Sequence, residues 1–273
     1  MTSPVAAKTP TVTAESEPLL LRNDAGGVAT LTLNRPKQYN ALSEELLAQL
    51  QAALDSIEKE SSVRVVVIAG NGPAFCAGHD LKQMRATPRK DYYDALFAQC
   101  SRFMLTLARI PQPVIARVHG VATAAGCQLV GACDLAVASD AARFATSGIN
   151  VALFCSTPAV PLSRNIPRKQ AMEMLLTGEF IDAPTAKIYG LVNRVVPAAT
   201  LDAEVKALAS AILSKSPIAV ATGKKMFYRQ IELGMKEAYD YAAEVMACNM
   251  MAEDVGEGID AFMQKRPPVW KGR

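Results

Sequence analysis

Phe75-Cys76-Ala77-Gly78-His79-Asp80-Leu81 and, further on, His119-Gly120-Val121-Ala122-Thr123-Ala124-Ala125-Gly126-Cys127-Gln128, running to Cys133-Asp134, are the stretches that decide how this chain folds. Each is a small-residue loop that follows a β-branched strand and leads into a helical pattern. Backbone N–H groups at a helix start have no intrahelical partner and sit at the positive end of the helix dipole, so they are free to point at a ligand. Two such donors converging on one carbonyl oxygen form an oxyanion hole.

Outward from these loops the elements alternate. Leu19–Arg22 and Val28–Leu33 flank the turn signal Asp24-Ala25-Gly26-Gly27 and predict a hairpin. Ser43 is placed to cap a helix whose apolar positions Leu46, Leu47, Leu50, Leu54 and Ile57 recur at helical spacing. Val63–Ala69 reads as a buried strand stopped by Gly70-Asn71-Gly72-Pro73. A helix carrying Leu96, Phe97, Phe103, Met104 and Leu107 follows, then strands at Pro113–Val118 and Leu135–Ala138. Strand and helix in alternation imply an α/β fold with βαβ-type crossovers in a mostly parallel sheet. Beyond Pro197 the strands stop, and 201–265 reads as helices around Ser216-Pro217. Their Met226, Phe227, Ile231, Met235, Tyr239, Met246 and Met250 exceed what one helical layer buries. Packing onto the chain's own core and contact with another subunit both account for that surplus.

Composition excludes several classes. With 273 residues, 50% hydrophobic and 20% charged, the chain can bury a large core as one α/β domain with a helical appendage. A net charge of +3 gives no argument for nucleic acid. The six cysteines are scattered without a C-x-x-C pair, and there are only two histidines. That pattern argues against a metal site and a disulfide framework and fits a reducing compartment, read here as the cytoplasm. Residues 1–17 are Thr-, Ala- and Pro-rich with no arginine and read as a disordered tail rather than a presequence. The stretch from Phe144 to Ser163 has no charge, but its prolines, Gly148, Asn150 and hydroxyls argue for a buried or substrate-facing wall and against a membrane span.

The two loops, with Leu33-Asn34-Arg35-Pro36, Asn40-Ala41-Leu42, Leu176-Thr177-Gly178, Gly190-Leu191-Val192 and Val195-Val196-Pro197 in order, resemble the enoyl-CoA hydratase/isomerase (crotonase) family. The likeness runs from about Leu19 to the C-terminus. It implies a crotonase-like spiral of ββα units over 18–197, with a helical C-terminal trimerisation region over 198–273, assembling as a homotrimer or dimer of trimers. It also implies an acyl-CoA thioester as the bound partner, with coenzyme A as part of the substrate and no permanently bound cofactor. Carried over by position, the oxyanion donors are the N–H groups of His79 and Ala125. The resemblance also places Arg35, Lys37, Ala77, Asp80, Leu81, Lys82, Phe262 and Lys265 around the CoA moiety, the last two sometimes across a subunit boundary.

The resemblance marks a loss as well. Hydratases move their protons with two glutamates, and the matching positions here are Gln128 and Gly148. An amide does not exchange protons usefully near neutral pH, and glycine has no side chain. Each positioned acid or base contributes ~10²–10⁴ in rate, so hydration is expected to be poor. Restoring glutamate at both 128 and 148 is expected to outperform the two single changes added together. Cys155 is either a proton donor or an apolar wall residue, and Asp80 is expected to cap or brace its loop. Ala124-Ala125-Gly126-Cys127-Gln128 together with Phe154-Cys155-Ser156-Thr157-Pro158 resembles a branch of the family that lacks the glutamate pair. The expected activity is stabilisation of a thioester enolate. Decarboxylation of a malonyl-type thioester is one alternative reading, and non-catalytic acyl-CoA binding or assembly is another.

Overall fold

The computed structural model describes residues 17–273. The expected tail, apart from Glu17, lies outside the described residues. The chain opens with the hairpin β1 (Leu20–Ala25) and β2 (Val28–Leu33), followed by α1 (Glu44–Ile57). The Ser43 hydroxyl caps α1 by accepting from Leu46 N at 3.2 Å, and all five of the helix's apolar positions named above are buried. Three turns of two strands and a helical segment come next. The first is β3 (Val65–Gly70), β4 (Ala74–Cys76), α2 (Leu81–Ala86) and α3 (Lys90–Arg109). The second is β5 (Val114–Val118), β6 (Val121–Thr123) and α4 (Ala125–Ala132). The third is β7 (Leu135–Ser139), β8 (Arg143–Ala145), a 3₁₀ turn over Ser147–Val151, and α5 (Ser156–Asn165). The chain then forms α6 (Arg168–Thr177), β9 (Ile181–Asp182), α7 (Ala183–Tyr189) and β10 (Arg194–Val196). It ends in α8 (Leu201–Leu213), α9 (Pro217–Gln230), α10 (Met235–Met250) and α11 (Glu253–Met263).

The spiral arises because each turn divides its strands between two sheets. The larger has the order β1-β2-β3-β5-β7-β10 and the smaller β4-β6-β8-β9. Among the described residues only the β1–β2 and β8–β9 pairs are antiparallel. The expectation of a mostly parallel sheet holds, but the strands of the second sheet were not legible. β4, β6 and β8 have three residues each, too few for an alternation to register.

Strand β3 is buried along its whole length, as a parallel strand covered on both faces must be. Val66 and Ile68 join the main core with α1, α3 and α4. Val65 and Val67 face the other way, with Ile115 and Val137, against Leu201, Val205, Leu208 and Ala209 of α8. Helix α8 thus covers the outer face of the large sheet and belongs to the core, although the sequence groups it with the helical appendage. Helices α9 and α10 have no buried residues.

What holds α9 to the body is polar. Lys224 donates to Leu107 O at 2.6 Å, Gln112 O at 2.8 Å and Asp134 Oδ2 at 2.7 Å. Tyr228 donates to Asp134 Oδ1 at 2.8 Å, and Val114 N to Asp134 Oδ2 at 2.6 Å. Burial lowers the Lys224 ammonium pKa and Asp134 works against that loss, so the pair rests on a fully satisfied set of hydrogen bonds.

Candidate active site

The first loop is held as if it were a strand. Leu42 pairs with His79 in a parallel bridge, with Leu42 N donating to Gly78 O at 2.7 Å and Asp80 N to Leu42 O at 3.1 Å. Parallel pairing of this kind uses the groups on either side of His79, so the N–H of His79 itself is directed away from Leu42. Among the described residues it donates to no backbone acceptor. The motif Asn40-Ala41-Leu42 now has a physical reason. Asn40 takes a left-handed φ of 55°, and its amide donates to Asn71 O and Ala74 O at 2.8 Å, locking the approach to β4.

Asp80 caps α2, accepting from Lys82 N at 3.1 Å and Gln83 N at 3.2 Å, while the Arg35 guanidinium donates to its other oxygen at 2.9 Å. Burial alone would raise the Asp80 carboxyl. Arg35 and the two N–H groups outweigh it and hold the carboxyl below its usual range. Arg35 also donates to Ala41 O. Its guanidinium therefore braces the loop, whereas the resemblance places Arg35 around the CoA moiety.

The second loop enters α4 through Ala124, whose φ of 50° and ψ of −120° leave Ala125 as the first helical residue. Ala124 N donates to Ala145 O at 3.0 Å and Gln128 N to Ala124 O at 3.0 Å, whereas Ala125 N has no backbone acceptor among the described residues. The two loops touch. A Cβ built on Gly78 would lie 2.9 Å from Ala124 Cβ and 3.1 Å from Ala125 N. A Cβ on Gly126 would fall 2.0 Å from Cys76 O, so only glycine lets α4 approach the end of β4.

Beside this junction lies a cleft of about 530 Å³. Of the residues expected from sequence, Lys37, Ala77, His79, Asp80, Leu81, Lys82, Ala125, Gly148 and Cys155 line it. Arg35, Gln128, Phe262 and Lys265 do not. Phe262 projects from α11 and is 86% exposed, outside the cleft of its own chain. The uncharged stretch is the opposite wall, through Ser147, Val151 and Leu153 to Pro158. Sequence reasoning passed over Phe97, which looked like an ordinary core position of α3. It lines the cleft and meets the His79 ring edge-on, with centroids 5.5 Å apart. Burial pushes the His79 imidazole down to about 4, with the Leu42 backbone only partly opposing it. His79 is therefore neutral at physiological pH.

The two positions expected to mark the lost acid/base pair differ in kind. Gln128 is 4% exposed inside α4, and its Oε1 is buried without a partner among the described residues. Gly148, in the 3₁₀ turn, has no room for a side chain. A Cβ there would sit 2.5 Å from Leu153 O and 2.8 Å from Cys155 Sγ. The turn closes on itself, with Leu153 N donating to Gly148 O at 3.0 Å. Glutamate at 148 cannot enter unless the 151–155 segment moves, which corrects the expectation that the double change outperforms the two single changes added together. Burial pushes the Cys155 thiol up, with the Gly148 N–H only partly opposing it, so the sulfur stays protonated.

Comparison with known proteins agrees with this geometry. The profile of the enoyl-CoA hydratase/isomerase family matches residues 23–273. Enoyl-CoA hydratase domain-containing protein 3, mitochondrial, of Mus musculus is 45% identical over 258 residues, covering 94% of this chain and 86% of the mouse protein. The crystal structure of enoyl-CoA hydratase from Mycobacterium smegmatis superposes with a TM-score of 0.92 at 59% identity, covering 93% of this chain and 99% of that one. Human enoyl-CoA hydratase domain-containing protein 3 gives a TM-score of 0.90 at 44% identity, over 93% of this chain and 100% of that one. The crotonase-like fold and the likeness to the domain-containing-protein-3 branch both hold. The cytoplasmic location does not: the mouse, Xenopus, rat and human relatives are mitochondrial by name, which overturns that expectation. The chain belongs to the enoyl-CoA hydratase/isomerase family.

Proposed function

From that membership, we propose that this protein is an acyl-CoA enzyme that stabilises a thioester enolate between the N–H groups of His79 and Ala125 and does not hydrate enoyl thioesters efficiently. The observation that carries the second half is the closed turn at Gly148, where Leu153 O and Cys155 Sγ leave no space for a catalytic side chain. The first half is supported by two backbone donors, each without a backbone acceptor among the described residues, on loops that touch beside one cleft. Lys37 and Lys82 on the cleft wall would meet the CoA phosphates, and coenzyme A enters only as part of the substrate.

Loss of CO₂ from a malonyl-type thioester suits such a site. The C–C bond breaks, its electron pair passes to the α-carbon, and the charge is held on the thioester oxygen by the two donors. No base is needed to remove a carbon-bound proton. The enolate carbon is then protonated by solvent or by the Cys155 thiol, which burial keeps protonated on the cleft wall.

We also infer a homotrimer or a dimer of trimers. Met235, Tyr239, Met246 and Met250 form one exposed apolar stripe along α10, and Phe227 of α9 and Ile231 just past its end are exposed as well.

Turnover of crotonyl-, malonyl- and methylmalonyl-CoA by the purified protein tests the reading. Decarboxylation of a malonyl-type thioester with little crotonyl-CoA hydration is expected. Hydration of crotonyl-CoA at rates usual for hydratases would overturn it.

A further inference from the structure

Three small residues on the two loops are set by backbone geometry, and one of them is the wrong residue for its geometry. Gly78 has φ of 93° and no space for a Cβ. Gly126 has no space either, with Cys76 O at 2.0 Å from the would-be carbon. Ala124 is the reverse case. Its φ of 50° with ψ of −120° is a conformation that glycine adopts freely and that an L side chain holds only under strain. The chain nevertheless keeps a methyl there.

The methyl packs against the edge of the main core, but it is not enclosed by it. Ala124 is only half-buried and lies on the cleft wall, whereas its neighbours Ala125 and Cys127 are sealed in the interior. Across the junction the methyl faces Gly78, and the two facing positions have space for one carbon between them. A carbon on the Gly78 side of that space would lie 3.1 Å from Ala125 N, one of the two donors assigned to the thioester oxygen, and Ala124 immediately precedes that donor in the chain.

The position has a chemical consequence. With its oxygen held at the His79 and Ala125 N–H groups, a thioester places its α-carbon about 2.4 Å from that oxygen, given a C=O length of about 1.23 Å and a C–C length of about 1.52 Å. A substituent on the α-carbon then competes for the space beside the Ala124 methyl, while substituents further along the acyl chain do not. We propose that Ala124 is a specificity-determining residue: its methyl, held in glycine's conformation at the lip of the donor pair, selects acyl groups unsubstituted at the α-carbon and rejects α-branched ones. This rests on the acyl-CoA reading above. It also ranks the malonyl-type substrates, because malonyl-CoA is accepted ahead of methylmalonyl-CoA.

The test uses a pair of isomeric, unreactive thioesters, butyryl-CoA and isobutyryl-CoA, which differ only in where one methyl sits. Dissociation constants are measured by calorimetry on the full chain and on Ala124→Gly, with the melting temperature of each. Wild type is expected to bind butyryl-CoA at least about tenfold more tightly, the scale on which a pocket discriminates one methyl group. Ala124→Gly is expected to raise the melting temperature and to bring the ratio within about threefold, by gaining isobutyryl-CoA rather than losing butyryl-CoA. Equal affinities in wild type, or an unchanged ratio in a folded Ala124→Gly protein, would overturn the proposal while leaving the acyl-CoA reading in place. Binding of neither thioester by folded wild type would remove that reading and this proposal together.

Discussion

His79 contributes to the site in two separable ways, through its backbone N–H and through the cost of burying its ring. Its imidazole is pushed from 6.5 to about 4 by desolvation. Between those values the unfolded chain takes up a proton that the folded chain refuses. Stability should therefore be complete above about pH 6.5, fall as the pH drops toward 4, and lose nothing further from this residue below that. The full effect is on the order of 3–4 kcal/mol, from about 1.4 kcal/mol per pKa unit over the shift from 6.5 to about 4. His79→Gln keeps the N–H and removes the titration. Denaturant unfolding at pH 7 and pH 4.5 should show a smaller loss in the variant than in wild type, and an equal loss in both would contradict the assignment. The same residue-scale logic separates the two positions aligned with the family's glutamates. Gln128 has a side chain that a carboxylate could replace atom for atom, but Gly148 does not, because its neighbours occupy the space.

Among the elements, α9 is the one whose position least follows from apolar burial, since it contributes no buried residue. The clamp of Lys224, Asp134 and Tyr228 takes that role, with the Lys224 side chain 6% exposed and that of Asp134 14% exposed. Removing one partner of such a pair leaves an uncompensated charge and two carbonyls without their donor. Lys224→Ala is expected to destabilise the protein by ~3–5 kcal/mol in chemical denaturation. Hydrogen exchange should rise first in α9 and at the start of β5. The paired change Lys224→Met with Asp134→Asn should cost less than Lys224→Ala, because it leaves no buried charge behind. Sequence reading placed Asp134 at the end of a loop motif and Lys224 in an anonymous helix. Their separation of 90 residues is why nothing local connected them.

For the whole molecule, the open question is what covers the stripe of Met235, Tyr239, Met246 and Met250. These side chains are 53% to 77% exposed in the single chain. Sedimentation velocity at micromolar concentration is expected to show three chains or six. Tyr239→Glu with Met246→Lys, two turns apart on one face of α10, is expected to yield folded monomers. A monomeric wild type would refute the assembly and leave Phe262 and Lys265 without a neighbour's cleft to reach.

Local patterning was enough for the sequence by itself to determine the main strands of the large sheet, the capped helix α1, the helical ending and the two loops that meet at the cleft. Those features depend on alternation, helical spacing and small residues at turns, all of which are written within a few neighbouring positions. The ordered motifs added the family, and with it the ββα spiral. Only the tertiary structure decided the rest, because each remaining feature depends on atoms brought together from distant positions. The resemblance places Arg35 around the CoA moiety, but Asp80, 45 residues away, takes up its guanidinium. Ala124 is one of several small residues in its loop, and only the fold sets its φ at 50° at the junction with Gly78. Gly148 looked like a missing side chain that could be put back. The fold shows a turn packed too closely to admit one, since steric exclusion by Leu153 and Cys155 depends on how the turn closes and not on which residue the sequence writes at 148.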